Sequence, residues 1–383
     1  MKIGLDVSQT CAERAGCAWY ADALSRALIA EGLPQGHTFE LYHHFGAWIN
    51  GDTRRGTMVD DPRVTAPLRS LNPAAAREFW REIATGEPLP AKPDVVFSFN
   101  FHAPRMPHTK LIYTVHDLAF WSQRDFATDE TRLVCQREIL RALARAAGLM
   151  FVSRFTGTEF ELLLPDWLRL HGRPNCLAPG ASRFPRAALP SSPAAGAPWL
   201  VVGSLEPRKN HLAALEAYAL YHAHSKQRRP LVIVGGGGWK SEAVRSRLGE
   251  LQAQGLPVSY LGYVSDGDLA AHYAAAFALL APSWHEGFGL PVVEALGAGL
   301  PVLASDRASL PEVGGSAALY FPPDRADVLA DAMISLETNP AARAQRSIAG
   351  LERSRAFSWA ATAKSALEFA EGLMKGADGG PRA

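Results

Sequence analysis

Two successive series of short apolar runs, each run followed by a helix-patterned stretch, constrain this chain more than any other feature of its sequence. Such alternation marks parallel strands joined by crossover helices. The first series contains Lys2–Val7, Asp94–Phe99, Lys110–Val115 and Gly148–Ser153. The second contains Trp199–Gly203, Leu231–Gly235, Val258–Leu261, Phe277–Ala281 and Pro301–Ser305. Between them the chain passes through Pro179, Gly180, Pro185, Pro190 and Pro193, a linker-like composition. At 383 residues the chain exceeds what one core serves, so each series is expected to form a domain of its own. The expected boundaries are 1–183, 184–356 and a closing helix with a frayed tail over 357–383.

Charge excludes several function classes. With 39 Lys plus Arg against 38 Asp plus Glu there is no global field for nucleic acid or an anionic membrane, so any anion site must be local. Cys11, Cys17, Cys135 and Cys176 form no CxxC pair and have no histidines at zinc spacing. They read as buried thiols in a reducing compartment, and no metal site is expected. The opening run lacks the basic-then-apolar pattern of a secretion signal, and no segment is apolar for long enough to span a bilayer. The expectation is a cytoplasmic protein, soluble or in peripheral contact with the inner face of a membrane. The stretch from about Thr128 to Ala147 carries Arg132, Arg137, Arg141 and Arg145, interrupted by Glu130 and Glu138, and reads as a solvated helix face.

In open parallel sheets ligands bind beyond the carboxyl ends of the strands. The strongest local signal lies at such a place, in Pro282-Ser283-Trp284-His285-Glu286-Gly287-Phe288-Gly289-Leu290-Pro291-Val292-Val293-Glu294. It reads as a strand end, a glycine loop and a helix starting near Pro291, where proline lacks only an N–H that would have no partner. Gly287 and Gly289 allow close backbone approach, and the free amides of the helix start suit an anion. Glu286 falls on the loop and Glu294 about a turn into the helix, so the carboxylates are offset along the site. Both suit vicinal hydroxyls of a sugar or ribose. Taken singly, Glu294 also fits as a partner of the helix dipole and Glu286 as a loop charge.

A second signal, Val201-Val202-Gly203-Ser204-Leu205-Glu206-Pro207-Arg208-Lys209-Asn210-His211, leads from a strand to a basic pair. An arginine fork and a lysine point charge together neutralise a diphosphate, although adjacent basic residues are often simply solvated. Gly235–Gly238 follow a strand, but Lys240 replaces the third glycine of a GxGxxG fingerprint, leaving a close-approach loop. In the first series His116 and Asp117 end a strand in a position to reach a ligand, with a packing role for the histidine equally open. Gly16, after the first strand, is ambiguous in the same way.

Together these residues resemble glycosyltransferase family 4. The E-x7-E spacing from Glu286 to Glu294, the preceding Pro282-Ser283 and the loop Gly203–Asn210 carry the likeness. It continues through Leu261–Val264, Leu310–Val313 and Val115–Leu118. The resemblance implies an α/β chain of GT-B fold, two Rossmann-like domains whose parallel sheets face a central cleft, with the closing helix packing back on the first domain. It implies a retaining transferase in which Arg208 and Lys209 hold a donor diphosphate, Glu286 the hexose and Glu294 the ribose. Gly287, Phe288, Gly289 and Leu290 would line the hexose and phosphates, Val264 would meet the base, and His116 with Asp117 would sit near the reacting sugar. Where relatives often carry glycine and arginine after the first strand, this chain has Ala18 and Trp19, so a phosphate role there rests on Gly16. The implied partners are a nucleoside diphosphate sugar, with GDP-mannose favoured, and a glycan or lipid-linked glycan acceptor in polysaccharide biosynthesis. No cofactor is implied, since the sugar nucleotide is a substrate. A sugar-nucleotide 2-epimerase of the same fold and a non-catalytic sugar-nucleotide-binding subunit remain as alternatives.

Overall fold

A computed structural model describes residues 1–11, 16–166, 174–188 and 193–375. The chain divides into two compact units, one of 1–121, 130–180 and 358–383, the other of 122–129 and 181–357. The closing helix Trp359–Lys375 thus belongs with the first unit. The short segment Ser122–Asp129, which lies far from the second series in sequence, groups with the second unit, where Trp239 Nε1 donates to the Phe126 carbonyl at 2.8 Å.

The first unit is built on a seven-stranded parallel sheet in the order β3-β2-β1-β4-β5-β6-β7. Its strands are β1 Lys2–Asp6, β2 Thr38–Tyr42, β3 Val64–Thr65, β4 Val95–Ser98, β5 Lys110–Val115, β6 Gly148–Phe151 and β7 Asn175–Leu177. The runs read as strands in the sequence are the central ones, apolar throughout because helices cover both faces of a parallel sheet. β7, just before the stretch read as linker, pairs with β6 in register Met150↔Cys176. Helix Trp359–Lys375 packs on helix Gly16–Gly32, and Tyr20 meets Trp359 edge-on at 5.5 Å. Glycine at 148 lets helix Trp359–Lys375 pack closely, since a Cβ would stand 2.7 Å from the Phe369 ring and force that side chain to shift.

The second unit has the order β10-β9-β8-β11-β12-β13. Its strands are β8 Trp199–Val202, β9 Leu231–Val234, β10 Val258–Tyr260, β11 Ala278–Ala281, β12 Val302–Ser305 and β13 Leu319–Phe321. This is the doubly wound order of dinucleotide-binding folds, with its reversal between β8 and β11. Its core gathers Trp199, Tyr218, Tyr221, Ile233, Phe277, Leu280, Leu303 and Met333 between sheet and helices.

Two readings from the sequence change. Of the four thiols only Cys11 is buried; Cys17, Cys135 and Cys176 are half-buried. On helix Asp129–Arg145, Arg137 and Arg141 are exposed as read, but Glu138 interrupts them from beneath the surface. It is buried and takes hydrogen bonds from Arg137 and Arg141 at 2.9 Å each, with His102 Nδ1 at 2.8 Å.

Candidate active site

The order reversal of the second sheet leaves a crevice where the loops after β8 and β11 depart to opposite sides, and the two strongest sequence signals are these two loops. After β8 a 3-10 turn, Pro207–Lys209, presents the basic pair, and Asn210, in the left-handed region at φ 54°, turns the chain into helix His211–His224. The Asn210 amide donates to the carbonyls of Pro282 and Pro323 at 3.1 and 2.8 Å, and Trp284 N–H donates to the Arg208 carbonyl at 2.7 Å. The two loops are therefore tied together through backbone groups. The glycine run after β9 does make a close approach, and its target is the basic loop. A Cβ on Gly235 would lie 2.0 Å from the Gly203 oxygen, and one on Gly238, at φ 57°, 2.2 Å from the Leu205 oxygen. These glycines set the height of the basic loop above the sheet.

Glu286 lies at the centre of a charged network. Lys209 Nζ is 2.6 and 2.8 Å from its two carboxylate oxygens, Arg208 Nη1 is 3.4 Å away, and the Ser283 hydroxyl donates at 2.8 Å. Arg208 also pairs with Glu206 at 2.9 Å. Burial on its own raises the Glu286 carboxyl, but the Lys209 and Arg208 charges, with hydrogen bonds from Lys209 and Ser283, bring it down to about 2. Glu286 is a carboxylate at every working pH, suited to accept hydrogen bonds and unable to act as an acid. Ser309 holds the loop from behind, its one hydroxyl proton shared between the carbonyls of Glu286 and Phe288, 2.9 and 2.8 Å away. Beneath the pair His211 is held neutral, at about 4, by burial first and by the Lys209 charge second.

Helix Leu290–Gly297 starts after Gly289 at φ 102°, with Pro291 in its first turn, and Gly299 at φ 68° follows its end. Gly287, Phe288 and Gly289 are buried and Leu290 half-buried. Glu294 is buried as well, but in other company: Arg183 Nε is 2.8 Å from one oxygen and the Tyr273 hydroxyl donates to the other at 2.9 Å. Arg183 also reaches Asp266 at 3.2 Å. Burial raises the Glu294 carboxyl and outweighs the opposing Arg183 charge and Tyr273 hydrogen bond. Half-buried Val264 precedes Ser265, the N-cap of helix Asp266–Ala275, so Val264 and Asp266 leave the sheet at the end of β10.

In the first unit His116 and Asp117 follow β5. His116 is buried, its Nε2 donates to the Phe99 carbonyl at 2.7 Å, and Tyr20 meets its ring edge-on at 5.1 Å. Burial lowers its pKa, so the imidazole is neutral with the Nε2 proton committed. Asp117 is half-buried and accepts from the Ala119 N–H at 3.2 Å. Gly16 opens helix Gly16–Gly32, exposed, and a Cβ there would meet nothing within 4 Å. The described atoms therefore place no steric demand for glycine at this position.

Several roles in the site escaped the sequence reading. Asn210 and Ser283 stand inside the quoted motifs, but no contact was assigned to them there. Arg183 and Tyr273 carry no local signal, since they meet Glu294 from 111 and 21 residues away.

Comparison with known proteins gives the family and the fold. The family described as "Glycosyl transferases group 1" matches residues 197–353, the second unit almost entire. O-antigen chain mannosyltransferase B of Escherichia coli is 30% identical over 269 residues, which cover 68% of this chain and 70% of that protein. The serotype-specific mannosyltransferase WbdA of Escherichia coli is 36% identical over 174 residues, 44% of this chain and 21% of that much longer protein. Among solved structures, a sucrose-phosphate synthase from Thermosynechococcus elongatus superposes with a TM-score of 0.70 over 98% of this chain and 100% of that one, at 21% identity, a likeness of fold. The chain belongs to the group 1 glycosyltransferases, enzymes of GT-B fold with two parallel-sheet α/β units, and resembles their bacterial mannosyltransferases.

Proposed function

We propose that this glycosyltransferase moves mannose from GDP-mannose to a hydroxyl of a glycan or lipid-linked glycan in polysaccharide biosynthesis, with retention of the anomeric configuration. The observation that carries the transfer reading is the meeting of Lys209, Arg208 and Glu286 at the order reversal of the second sheet. The donor diphosphate is assigned to the two cations and the amides of the helix start, the hexose hydroxyls to Glu286, the ribose to Glu294 and the base to the segment around Val264. The mannosyl donor is supported by the likeness to O-antigen chain mannosyltransferase B, which extends over most of both chains.

In this scheme the bond from the anomeric carbon to the diphosphate oxygen breaks while the bond to the acceptor oxygen forms on the same face. The acceptor's proton passes to the departing diphosphate. Lys209 and Arg208 stabilise the charge that develops there, an effect of roughly 3 kcal/mol for one well-placed donor by analogy with oxyanion sites. Glu286, a permanent carboxylate engaged by Lys209, is assigned to orienting the sugar rather than attacking it. His116, neutral, and Asp117 are assigned to the reacting sugar on the resemblance. No metal takes part, the basic pair standing in for the divalent ion of metal-dependent transferases.

The test is incubation of the purified protein with GDP-mannose, UDP-glucose and UDP-galactose, with and without oligosaccharide acceptors, followed by nuclear magnetic resonance of the products. An α-mannoside formed only with acceptor is the expected outcome. A rearranged free sugar from donor alone would mean an epimerase, and donor binding without turnover a non-catalytic subunit.

A further inference from the structure

The second unit holds a cavity of about 290 Å³ lined by Gln227, Arg229, Phe277, Glu337, Arg343 and Ser347, among others. It lies at the opposite end of the sheet from the donor loops. Phe277 immediately precedes β11, which leads to Pro282 at its other end, and Arg229 stands two residues before β9. Strand geometry puts Phe277 and Pro282 roughly 16 Å apart.

Two guanidinium groups face one carboxylate in this cavity. Glu337 is fully engaged, accepting from the Tyr221 hydroxyl and from Ser225 at 2.6 Å, with Arg229 3.4 Å away. Arg229 also donates to the Ala197 carbonyl at 3.3 Å and to Gln227. Ser347 is committed to the Gly299 carbonyl at 2.6 Å. Arg343 is different. Its residue is only 8% exposed, and its side chain makes a single hydrogen bond, from Nε to the Phe277 carbonyl at 3.2 Å. Its terminal nitrogens, with four N–H groups between them, have no protein partner among the described residues. Both guanidinium groups lie over the Phe277 ring, at 4.0 Å for Arg229 and 4.9 Å for Arg343. Arg343 also sits in the first turn of helix Pro340–Ser354, where the helix dipole adds positive potential. With Glu337 taken by Arg229, a largely buried Arg343 has no carboxylate of its own among the described residues, and an anion joining it offsets the cost of that burial.

We propose that this cavity is a binding site for a phosphate monoester, with the free N–H groups of Arg343 forking the phosphate oxygens and the organic body filling the remaining space. A planar fork facing a tetrahedral oxyanion is the arrangement that arginine recognises best. The volume matches the lower end of small-molecule sites and exceeds what a bare phosphate needs. Burial, and then repulsion from Arg229, lower the Arg343 pKa, as an uncompensated site requires.

The experiment is calorimetric titration of the full chain with inorganic phosphate and with glucose 6-phosphate, ionic strength held constant with chloride. Wild type should bind both through their shared phosphate, the monoester more tightly. Arg343→Met, which keeps length and removes the fork, should lose roughly tenfold or more of that affinity. Lys209→Ala, which alters the donor loops, should keep it. Wild-type affinity in Arg343→Met overturns the site, as does binding lost in Lys209→Ala and kept in Arg343→Met, or no binding by wild type at tens of millimolar. Circular dichroism checks the fold of each variant. If Arg343→Met does not fold, Arg343→Lys, which retains charge without the fork, carries the same test with the same readings.

Discussion

Glu286 and Glu294 stand eight positions apart in one motif, both buried and both paired with a cation, yet replacing each by glutamine should have unequal consequences for stability. For Glu286 the fall from an ordinary value of 4.5 to about 2 corresponds to about 3 kcal/mol of stability at neutral pH. The sign follows from linkage. A carboxyl depressed in the folded state stabilises it above pH 4.5, and that contribution is lost as pH falls through 2. Glu286→Gln should therefore cost about 3 kcal/mol at pH 7 and less than half of that at pH 3, the amide keeping the Ser283 hydrogen bond but leaving Lys209 without its carboxylate. Glu294 is raised in the folded state, so its charged form is a burden once pH exceeds the unfolded value. Its amide can accept from Arg183 and donate to the Tyr273 oxygen, while Arg183 retains Asp266 at 3.2 Å. Glu294→Gln should thus be within about 1 kcal/mol of wild type at pH 7. Urea unfolding from pH 7 to pH 3 provides the assay, read by hydrogen exchange in peptides of the second unit because the two compact units need not unfold together. Equal losses in the two variants, or a Glu286→Gln deficit that does not shrink with acid, would refute the electrostatic account.

The same two variants should separate in function: Glu286→Gln should chiefly lower kcat, whereas Glu294→Gln should weaken binding of the bare nucleoside diphosphate in calorimetry. Chelation with EDTA should leave turnover unchanged, and loss of activity restored by a divalent ion would falsify metal independence. Gly238→Ala forces a Cβ to 2.2 Å from the Leu205 oxygen at φ 57°. It should shift the basic loop, cost roughly 2 kcal/mol or more and reduce donor affinity, and an unchanged KM would mean that the loop height does not matter.

What the sequence disclosed and what it withheld follow from where partners come from. Strands β1, β4, β5, β6 and β8 to β12 were legible because a strand covered on both faces must be apolar along its length. β2 was not, since Glu40 interrupts it. In the fold Glu40 is buried, accepts from the Tyr42 hydroxyl at 2.6 Å, and has its carboxyl raised by burial. Strands β3, β7 and β13 are edge strands of two or three residues and, unlike the equally short edge strand β10, did not stand out as apolar runs. The site divides in the same way. Lys209, Arg208, Glu286 and Glu294 stood out because loop and helix-start residues at strand ends are read locally. Their electrostatic characters could not be, because adjacency in the sheet decides them. β11 lies beside β8, so Glu286 receives the two cations of the loop that follows β8. Glu294 receives Arg183, from a proline-rich stretch that looked like a linker, and Tyr273 from the preceding helix. One spacing of two identical residues therefore encodes two electrostatic environments, one in which neighbouring cations hold the carboxyl down and one in which burial pushes it up. The difference is written in strand order, a property of the whole unit that no window of the sequence contains.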